Sequence, residues 1–209
     1  MKDAQCKICR RMGVKLFLKG ERCLSPKCAF LKKSYSPGRK GKRRTRPLSE
    51  YGKELKEKQK LKNWYNLGER QFRKYVKEIL KRRGKVEDAA ALLVEKLEKR
   101  FDNAIYRLGF TNSRSQARQF VSHGHFMVNG RRVSIPSYQL KKGEKISVNP
   151  TSKKKKVFEN LIPILKKHQP PAWLKLNAQS LEGEVVGIPT IEEASPPAEI
   201  STIFEFYSR

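Results

Sequence analysis

An excess of positive charge constrains this sequence more than any other feature. The chain carries 48 Lys and Arg residues against 20 Asp and Glu residues, a formal net charge of +28. Such self-repulsion destabilises a compact chain unless an anion neutralises it. The natural polyanion is a nucleic acid, because each contact between a protein cation and a phosphate releases a counterion. The composition therefore predicts a protein that binds nucleic acid.

The charge is distributed unevenly along the chain. Residues 1–85 contain 29 basic and 7 acidic residues, and residues 86–169 contain 17 and 7. Residues 170–209 contain 2 basic and 6 acidic residues. We expect the first two segments to face the nucleic acid. The acidic segment is expected to face solvent or, alternatively, a protein partner.

The sequence also predicts where the protein is found. No apolar run approaches the roughly 20 residues that a membrane-spanning helix requires, so we expect no membrane partner. The first cysteine is Cys6, which leaves no room for a cleavable leader. We therefore expect a cytoplasmic protein, and structural disulfides are rare in that compartment.

The four cysteines of the chain follow the spacing C-x2-C-x13-C-x4-C. Each pair predicts a tight turn, and two such turns make a four-sulfur site that suits Zn²⁺. Neighbouring Lys and Arg residues favour the thiolate form. An iron–sulfur cluster, a redox pair and unrelated buried thiols are the alternatives. Four protein ligands leave no position for water, so the site is expected to be structural. The predicted ligands are Cys6, Cys9, Cys23 and Cys28.

A basic segment follows the cysteines at residues 32–47. It mixes Gly, Pro and Ser with eight basic residues and no acidic residue, and it lacks hydrophobic periodicity. We interpret it as an arm that lies along phosphates, and the alternative is a disordered linker. Its candidate phosphate contacts are Arg39, Lys40, Lys42, Arg43, Arg44 and Arg46.

Helical periodicity begins at Leu48 and continues to about residue 83, and Gly68 divides the segment into two helices. The second helix places apolar residues on one face and basic residues over the rest of its surface. The candidate phosphate contacts on this helix are Arg70, Arg73, Lys74 and Lys77.

Residues 88–149 predict two helices followed by a small antiparallel sheet. The first helix covers about 88–108, and Ser113 with Gln116 forms a capping box for the second. Asn129-Gly130 between alternating apolar residues is a strong hairpin signal, and residues 144–148 predict a third strand. The candidate nucleic-acid contacts in this segment are Arg100, Arg107, Arg114, Arg118, His123, His125, Arg131 and Arg132. A further helix is expected at 157–167, with short strands and loops beyond it.

These residues resemble a known family. The segment from "RFDNAIYRLGF" to "GEKISV" (100–148) is similar to the small RNA-binding domain named after ribosomal protein S four. That domain also occurs in RNA-modifying enzymes and a tRNA synthetase. The stretches "SPGRKGKRRTRPLSEYGKELKEKQKLK", "ERQFRKYV", "PAWL" and "EFYSR" resemble the bacterial ribosomal protein family itself, in the order of that family. The opening "CKICRRMGVKLFLKGERCLSPKC" resembles its zinc-bearing variants.

The resemblance implies an α+β protein of three parts. Residues 1–45 would form a zinc knuckle and basic arm, and residues 46–90 with 168–209 a mostly helical domain. Residues 91–167 would form the inserted RNA-binding domain, with two helices and a small antiparallel sheet.

The resemblance also implies a function. The protein would be a structural constituent of the small ribosomal subunit that binds the five-prime domain of its rRNA and nucleates subunit assembly. It would lie near the channel through which mRNA enters and contact small-subunit protein five, which affects translational accuracy. Some family members also bind and repress their own mRNA.

Two rival functions start from the same residues. Arg100-Phe101-Asp102 faintly resembles the catalytic aspartate region of pseudouridine synthases. However, the usual flanking glycine is absent, and little more than 100 residues lie outside the domain and the cysteines. A zinc-finger regulator that binds DNA is the second rival, and it lacks a helix beside the cysteines that suits base recognition. We therefore expect a protein without enzymatic activity.

Overall fold

The computed structural model describes residues 5–38, 47–82 and 88–208, which form two compact units. The N-terminal unit comprises residues 1–93 and 196–209, and the sheet unit comprises residues 94–195. The combination of helices with a small antiparallel sheet confirms the α+β class. The helices of the N-terminal unit are α1 (Gln5–Met12), α2 (Glu21–Leu24), α3 (Ala29–Lys32), α4 (Glu50–Trp64), α5 (Glu69–Leu80), the first half of α6 (Ala89–Glu98) and α13 (Ile200–Ser208).

Helices α4 and α5 are the two helices that the sequence predicted on either side of Gly68. The Ser49 hydroxyl caps α4 by accepting a hydrogen bond from the Gly52 N–H at 3.2 Å. The chain turns after α4 at Asn66, whose φ of 54° lies in the left-handed region. The predicted apolar face of α5 is buried and includes Phe72, Tyr75, Val76 and Ile79.

The chain ends in a helix, where the sequence predicted short strands and loops. Helix α13 packs against α4 and α5 of the N-terminal unit. Its Phe206 ring lies 5.4 Å from the Tyr51 ring, and Tyr207 lies 6.3 Å from Phe72. The family resemblance implied that the C-terminal segment belongs with the helical domain, and the packing of α13 on α4 and α5 agrees with that implication for residues 200–208.

A polar network fixes α13 to the N-terminal unit. The Glu69 carboxylate accepts hydrogen bonds from Lys58, Lys62 and Tyr207 at 2.8, 2.9 and 2.8 Å. Partial burial opposes ionisation of Glu69, but these three hydrogen bonds lower its pKa to about 2. Burial and the bond to Glu69 raise the pKa of Tyr207, which keeps the phenol protonated as a donor.

The sheet unit contains one five-stranded antiparallel sheet in the order β2-β1-β3-β5-β4. Its strands are β1 (Phe126–Val128), β2 (Arg131–Arg132), β3 (Lys145–Val148), β4 (Leu174–Asn177) and β5 (Glu182–Val185). Its helices are the second half of α6, α7 (Phe101–Arg107), α8 (Arg114–Ser122), α9 (Pro150–Lys153), α10 (Lys156–Glu159), α11 (Leu161–Lys167) and α12 (Ile191–Ala194).

The core of the sheet unit lies between the sheet and helices α7 and α8. It includes Phe101, Leu108, Phe126 and Ile146, which are fully buried. Gly183 in β5 permits close packing, because a Cβ atom there would lie 2.5 Å from Leu108 Cδ1. The glycine in this strand therefore marks a close approach of a helix.

The sheet changes the predicted division of the chain. Residues 168–209 were predicted to belong to the helical domain, but β5 pairs with β3, and β4 pairs with β5. Residues 168–195 are thus part of the sheet unit, and residues 196–209 alone return to the N-terminal unit. The sequence predicted short strands beyond residue 168, as β4 and β5 confirm, but it placed only three strands in this sheet, because pairing across a long sequence separation leaves no local signal.

The single helix predicted at 88–108 is interrupted. Arg100 adopts an extended conformation with φ −65° and ψ 137°, and it separates α6 from α7. It forms an isolated bridge with Gln139, and the Phe101 N–H donates to the Tyr138 carbonyl at 2.9 Å. These contacts with a distant loop outweigh the continuous helical periodicity of the sequence.

The Glu69 network predicts an acid-sensitive attachment of α13. Because the folded pKa of about 2 lies below the unfolded value near 4.5, Glu69 contributes stability above pH 4.5. That contribution is lost as the pH falls from 4.5 toward 2. Replacing Glu69 by Gln should therefore lower the free energy of unfolding at pH 7 more than at pH 3. Urea denaturation at both pH values measures this difference.

The two tryptophans, Trp64 and Trp173, lie in different units. In a Trp173→Phe background, fluorescence of Trp64 reports unfolding of the N-terminal unit. The control is Glu205→Gln, which removes an exposed carboxylate from α13. An equal effect of Glu69→Gln at pH 7 and pH 3 would contradict the predicted linkage.

Candidate nucleic-acid interface and cysteine module

A cationic groove runs along the exposed face of α5. It includes all four of the predicted residues on this helix, together with Lys81 and Glu78. Lys74 is 69% exposed and lies 4.0 Å from Glu78, which makes a weak ion pair at this exposure. The groove therefore keeps a net positive charge and is open to an anion. Its lining residues are Arg70, Arg73, Lys74, Lys77, Glu78 and Lys81.

The hairpin between β1 and β2 carries the second cationic surface. Asn129 and Gly130 form the turn with φ values of 48° and 78°, as Asn-Gly turns require. The Asn129 side chain accepts a hydrogen bond from the Lys145 N–H at 2.9 Å, which makes it a turn residue. The turn presents Arg131 and Arg132 as exposed side chains.

Two histidines lie beside this hairpin. The rings of His123 and His125 are 5.9 Å apart, and Arg132 donates to the His123 carbonyl at 3.1 Å. Burial, followed by the charges of Lys155, His123 and Arg132, lowers the pKa of His125. We call His123, His125, Arg132 and Lys155 the hairpin cluster.

Arg100 does not reach the surface, although it was predicted as an RNA contact. It is 1% exposed, and its guanidinium binds both carboxylate oxygens of Asp102 at 3.0 and 2.7 Å. Asp102 is 5% exposed. The pair accounts for the Arg-Phe-Asp pattern without catalysis, because the carboxylate is closed off from a substrate.

Arg107 and Arg114 also belong to an internal network. Arg107 donates to both oxygens of the fully buried Glu98 at 2.9 Å. Asn103 joins the network by donating to Glu98 at 2.8 Å and accepting from Arg114 at 2.8 Å. The Arg114 guanidinium also lies 4.6 Å from the centre of the Tyr106 ring. These contacts give both arginines a structural role, which their sequence positions alone do not reveal.

The remaining predicted contacts differ in how the structure describes them. Arg118 on α8 is half-buried, whereas the predicted arm residues Arg39–Arg46 lie outside the described residues. Two cations were missed by the sequence analysis: Lys81 in the α5 groove and Lys155 in the hairpin cluster. The sequence signal for Lys81 was its place directly after Leu80 at the end of α5. The signal for Lys155 was the run of basic residues before Val157.

The four cysteines come together in residues 5–38, which we call the cysteine module. All four thiols are free and line one small cavity. The Lys19 N–H donates to Cys23 Sγ at 3.3 Å. Burial raises the pKa of Cys9, a hydrogen bond from the Leu16 backbone opposes this, and the other three thiols raise it further.

Cys28 differs from Cys9. Burial opposes thiolate formation at Cys28, but backbone hydrogen bonds from Leu31 and Phe30 outweigh it and lower the pKa. Lys15 and Arg22 lower it further. In the described part of the chain, no three His, Cys, Asp or Glu residues are arranged closely enough to form a metal site. The structure thus gathers four sulfur ligands around one cavity without showing a coordination geometry.

Within the described ranges, no helix has both the length and the apolar character needed to cross a membrane.

Comparisons with known proteins match nearly the whole chain. The description "Ribosomal protein S4/S9 N-terminal domain" matches residues 1–98, and "S4 domain" matches residues 99–146. Small ribosomal subunit protein uS4 of Halothermothrix orenii is 46% identical over 208 residues, which cover 100% of this chain and 98% of the relative.

Two further relatives carry the same name. Those of Caldicellulosiruptor bescii and Thermus thermophilus are 47% and 43% identical over 204 residues, covering 98% of this chain and 96% of each relative. Together with the two matched domains, these identities show that the chain belongs to the uS4 family of small ribosomal subunit proteins.

Proposed function

We propose that this protein is a primary rRNA-binding protein that nucleates assembly of the small ribosomal subunit. As a member of the uS4 family, the chain is a structural ribosomal constituent and not an enzyme. The observation that carries the proposal is the pair of exposed cationic surfaces, the α5 groove and the hairpin cluster, on a chain of this family. The proposed target is the five-prime domain of the rRNA.

The two surfaces suit the backbone of folded RNA. RNA helices present phosphates and 2′-hydroxyls across a wide minor groove, and proteins recognise them mainly by shape. Arg70 and Arg73 offer planar guanidinium groups that bind phosphate oxygens in pairs, whereas Lys74 and Lys77 act as point charges. Neither surface needs to contact base edges, so they support recognition of a folded junction.

The internal arginines support this function indirectly. Arg100 and Arg107 are held by Asp102 and Glu98 within the sheet unit, so we assign them a structural role and not a phosphate contact. We propose Arg131 and Arg132 as the arginine contacts of this unit, with His123, His125 and Lys155 beside them. The half-buried Arg118 and the arm residues Arg39–Arg46 remain proposed contacts.

Zn²⁺ is the proposed occupant of the cysteine module. Four thiols around one cavity, together with the N–H donor to Cys23, suit a four-sulfur zinc site. Bound zinc would order a segment too short to fold on its own. Cys6, Cys9, Cys23 and Cys28 would hold the ion, and the Lys and Arg residues around them would then meet RNA in one arrangement.

The proposal has three further parts: a location near the channel through which mRNA enters, a contact with small-subunit protein five, and an effect on translational accuracy. They rest on the family resemblance. The acidic segment 170–209 is the proposed protein-facing part, and repression of the protein's own mRNA is a further property of some family members.

The α5 groove predicts a specific salt dependence. Each phosphate contact contributes roughly one unit to the slope of log affinity against log salt concentration. Replacing Lys74 and Lys77 by Ala should therefore weaken rRNA binding and reduce that slope by about two. Filter binding of in vitro-transcribed small-subunit rRNA at several salt concentrations measures both quantities.

Two controls accompany this experiment. The Lys74→Arg/Lys77→Arg variant retains both charges and should keep the wild-type slope. Lys175→Ala removes an exposed cation from the acidic segment and should also leave the slope unchanged. An unchanged slope in the Lys74→Ala/Lys77→Ala variant would remove the α5 groove from the interface.

Because Arg100 is paired with buried Asp102, we expect that replacing Arg100 lowers the stability of the protein and leaves its RNA contacts intact. Replacing Arg100 by Met leaves Asp102 as an unpaired buried charge, which costs about 3–5 kcal/mol. The double variant Arg100→Met/Asp102→Leu removes both charges and should recover most of that loss. Denaturant unfolding measures the cycle. A salt slope of rRNA binding that falls by one in the folded double variant would instead identify Arg100 as a phosphate contact.

The zinc proposal predicts about one zinc ion per purified chain by elemental analysis. Removing the metal with a chelator should increase amide hydrogen exchange in residues 5–38, because the metal orders that segment. Residues 94–195 serve as the internal control and should exchange at an unchanged rate. Iron with visible absorption would favour an iron–sulfur cluster. A metal-free chain with unchanged exchange would contradict both forms of the site.

A further inference from the structure

His125 occupies an unusual position in the hairpin cluster. Its Nδ1 atom lies 2.9 Å from the hydroxyl of Ser152, a residue that is 3% exposed. The second ring nitrogen, Nε2, makes no hydrogen bond to any described residue. One side of the ring is therefore fixed by a buried partner, and the other is available to a ligand.

The groups around His125 are either cations or uncharged rings. His123 approaches from the end of α8, Arg132 from β2 and Lys155 from the turn before α10. Phe120 of α8 and Phe158 of α10 lie edge-on at 5.6 and 5.8 Å. In the described ranges, no carboxylate forms an ion pair with the histidine. The site thus combines positive charge with partial burial, which suits a single anionic group.

We propose that the hairpin cluster binds an RNA phosphate and that His125 takes up a proton as it does so. This inference rests on the proposed rRNA-binding function and adds that part of the binding is linked to pH. The proton comes from solvent, and the product is an imidazolium hydrogen-bonded to a phosphate oxygen through Nε2.

The electrostatics of the cluster support this linkage. Without RNA, burial, the charge of Lys155, the neighbouring His123 and the charge of Arg132 hold the pKa of His125 below its usual range, so the ring is neutral at pH 7. A phosphate beside the ring offsets these cations and favours the charged form. The bound pKa therefore exceeds the free pKa. Affinity should rise as the pH falls through the bound pKa and level off below the free pKa.

Ser152 makes both protonation states acceptable. A hydroxyl donates to a neutral Nδ1 and, after rotation, accepts from a protonated one. An ammonium group in the same place could only donate, and it would favour the neutral ring alone. Because the buried hydroxyl keeps a partner in either state, proton uptake leaves no buried polar group unsatisfied.

The test measures affinity of the full-length protein for in vitro-transcribed Thermus thermophilus small-subunit rRNA at fixed salt between pH 5.5 and 7.5. A shift of about one pKa unit corresponds to about a tenfold change in affinity. Between pH 7.5 and pH 5.5, the affinity of the wild-type protein should therefore rise about tenfold more than the affinity of His125→Gln. Titration of the RNA affects both proteins equally, so the comparison removes its contribution.

His168→Gln is the matched control. The His168 ring is hydrogen-bonded to the Arg107 carbonyl at 2.7 Å, so it is not part of the cluster. This variant should retain the wild-type pH response. If it loses the response as His125→Gln does, the linkage belongs to general destabilisation and the proposal is wrong.

Histidine-resolved NMR of the wild-type protein provides a second measurement that needs no variant. The pKa of His125 should be higher in the RNA complex than in the free protein. Salt-dependent rRNA binding with an unshifted His125 would overturn the proton linkage and leave the rRNA-binding function intact. Absence of salt-dependent rRNA binding at every pH would instead overturn the proposed function itself.

Discussion

The whole structure depends on how a chain with a net charge of +28 arranges its few carboxylates. Several of them hold basic residues in place. Glu69, whose side chain is 45% exposed, binds Lys58, Lys62 and the Tyr207 hydroxyl, and buried Glu98 and Asp102 bind Arg107 and Arg100. A carboxylate in such a position contributes a charge-assisted hydrogen bond, which is stronger than a neutral one. The same placement withdraws negative charge from the α5 groove and the hairpin cluster, so an RNA backbone meets cations that few acidic neighbours neutralise.

This arrangement divides the basic residues into two groups. One group is held by carboxylates inside the protein, and the other is exposed to solvent. Arg107 and Arg114 join α6, α7 and α8 within the sheet unit through Glu98 and Asn103, and Arg100 forms a separate buried pair with Asp102. Arg131 and Arg132 extend from a short hairpin into solvent. Burial decides between the two tasks, because a guanidinium that is already held by a buried carboxylate gains little from a phosphate and would leave that carboxylate unpaired.

The sequence predicted those features that arise from local physics. Gly68 marked the division between α4 and α5, Asn129-Gly130 marked the hairpin, and the apolar face of α5 followed from its period. The features that were missed depend on distant partners. The helix break at Arg100 needs the loop around Gln139, the pairing of β4 and β5 into the sheet needs β3, and α13 needs α4. The candidate interface follows the same division: the cations predicted on α5 line an exposed groove, whereas Arg100 and Arg114 are buried, because a sequence records charge and not burial.

The hairpin cluster adds a further consequence of the charge excess. A lysine or arginine placed beside Arg132 and Lys155 would carry its full charge in the free protein and would add to the repulsion that destabilises it. A histidine in that place is neutral before RNA binds, since burial and the neighbouring cations lower its pKa. It becomes a cation when a phosphate offsets those neighbours. A titratable ring therefore provides positive charge in the complex without the full repulsion in the free state, and the buried Ser152 hydroxyl serves it in both forms. By this argument, histidine suits the most crowded part of a basic surface, and residues of fixed charge suit the open face of α5.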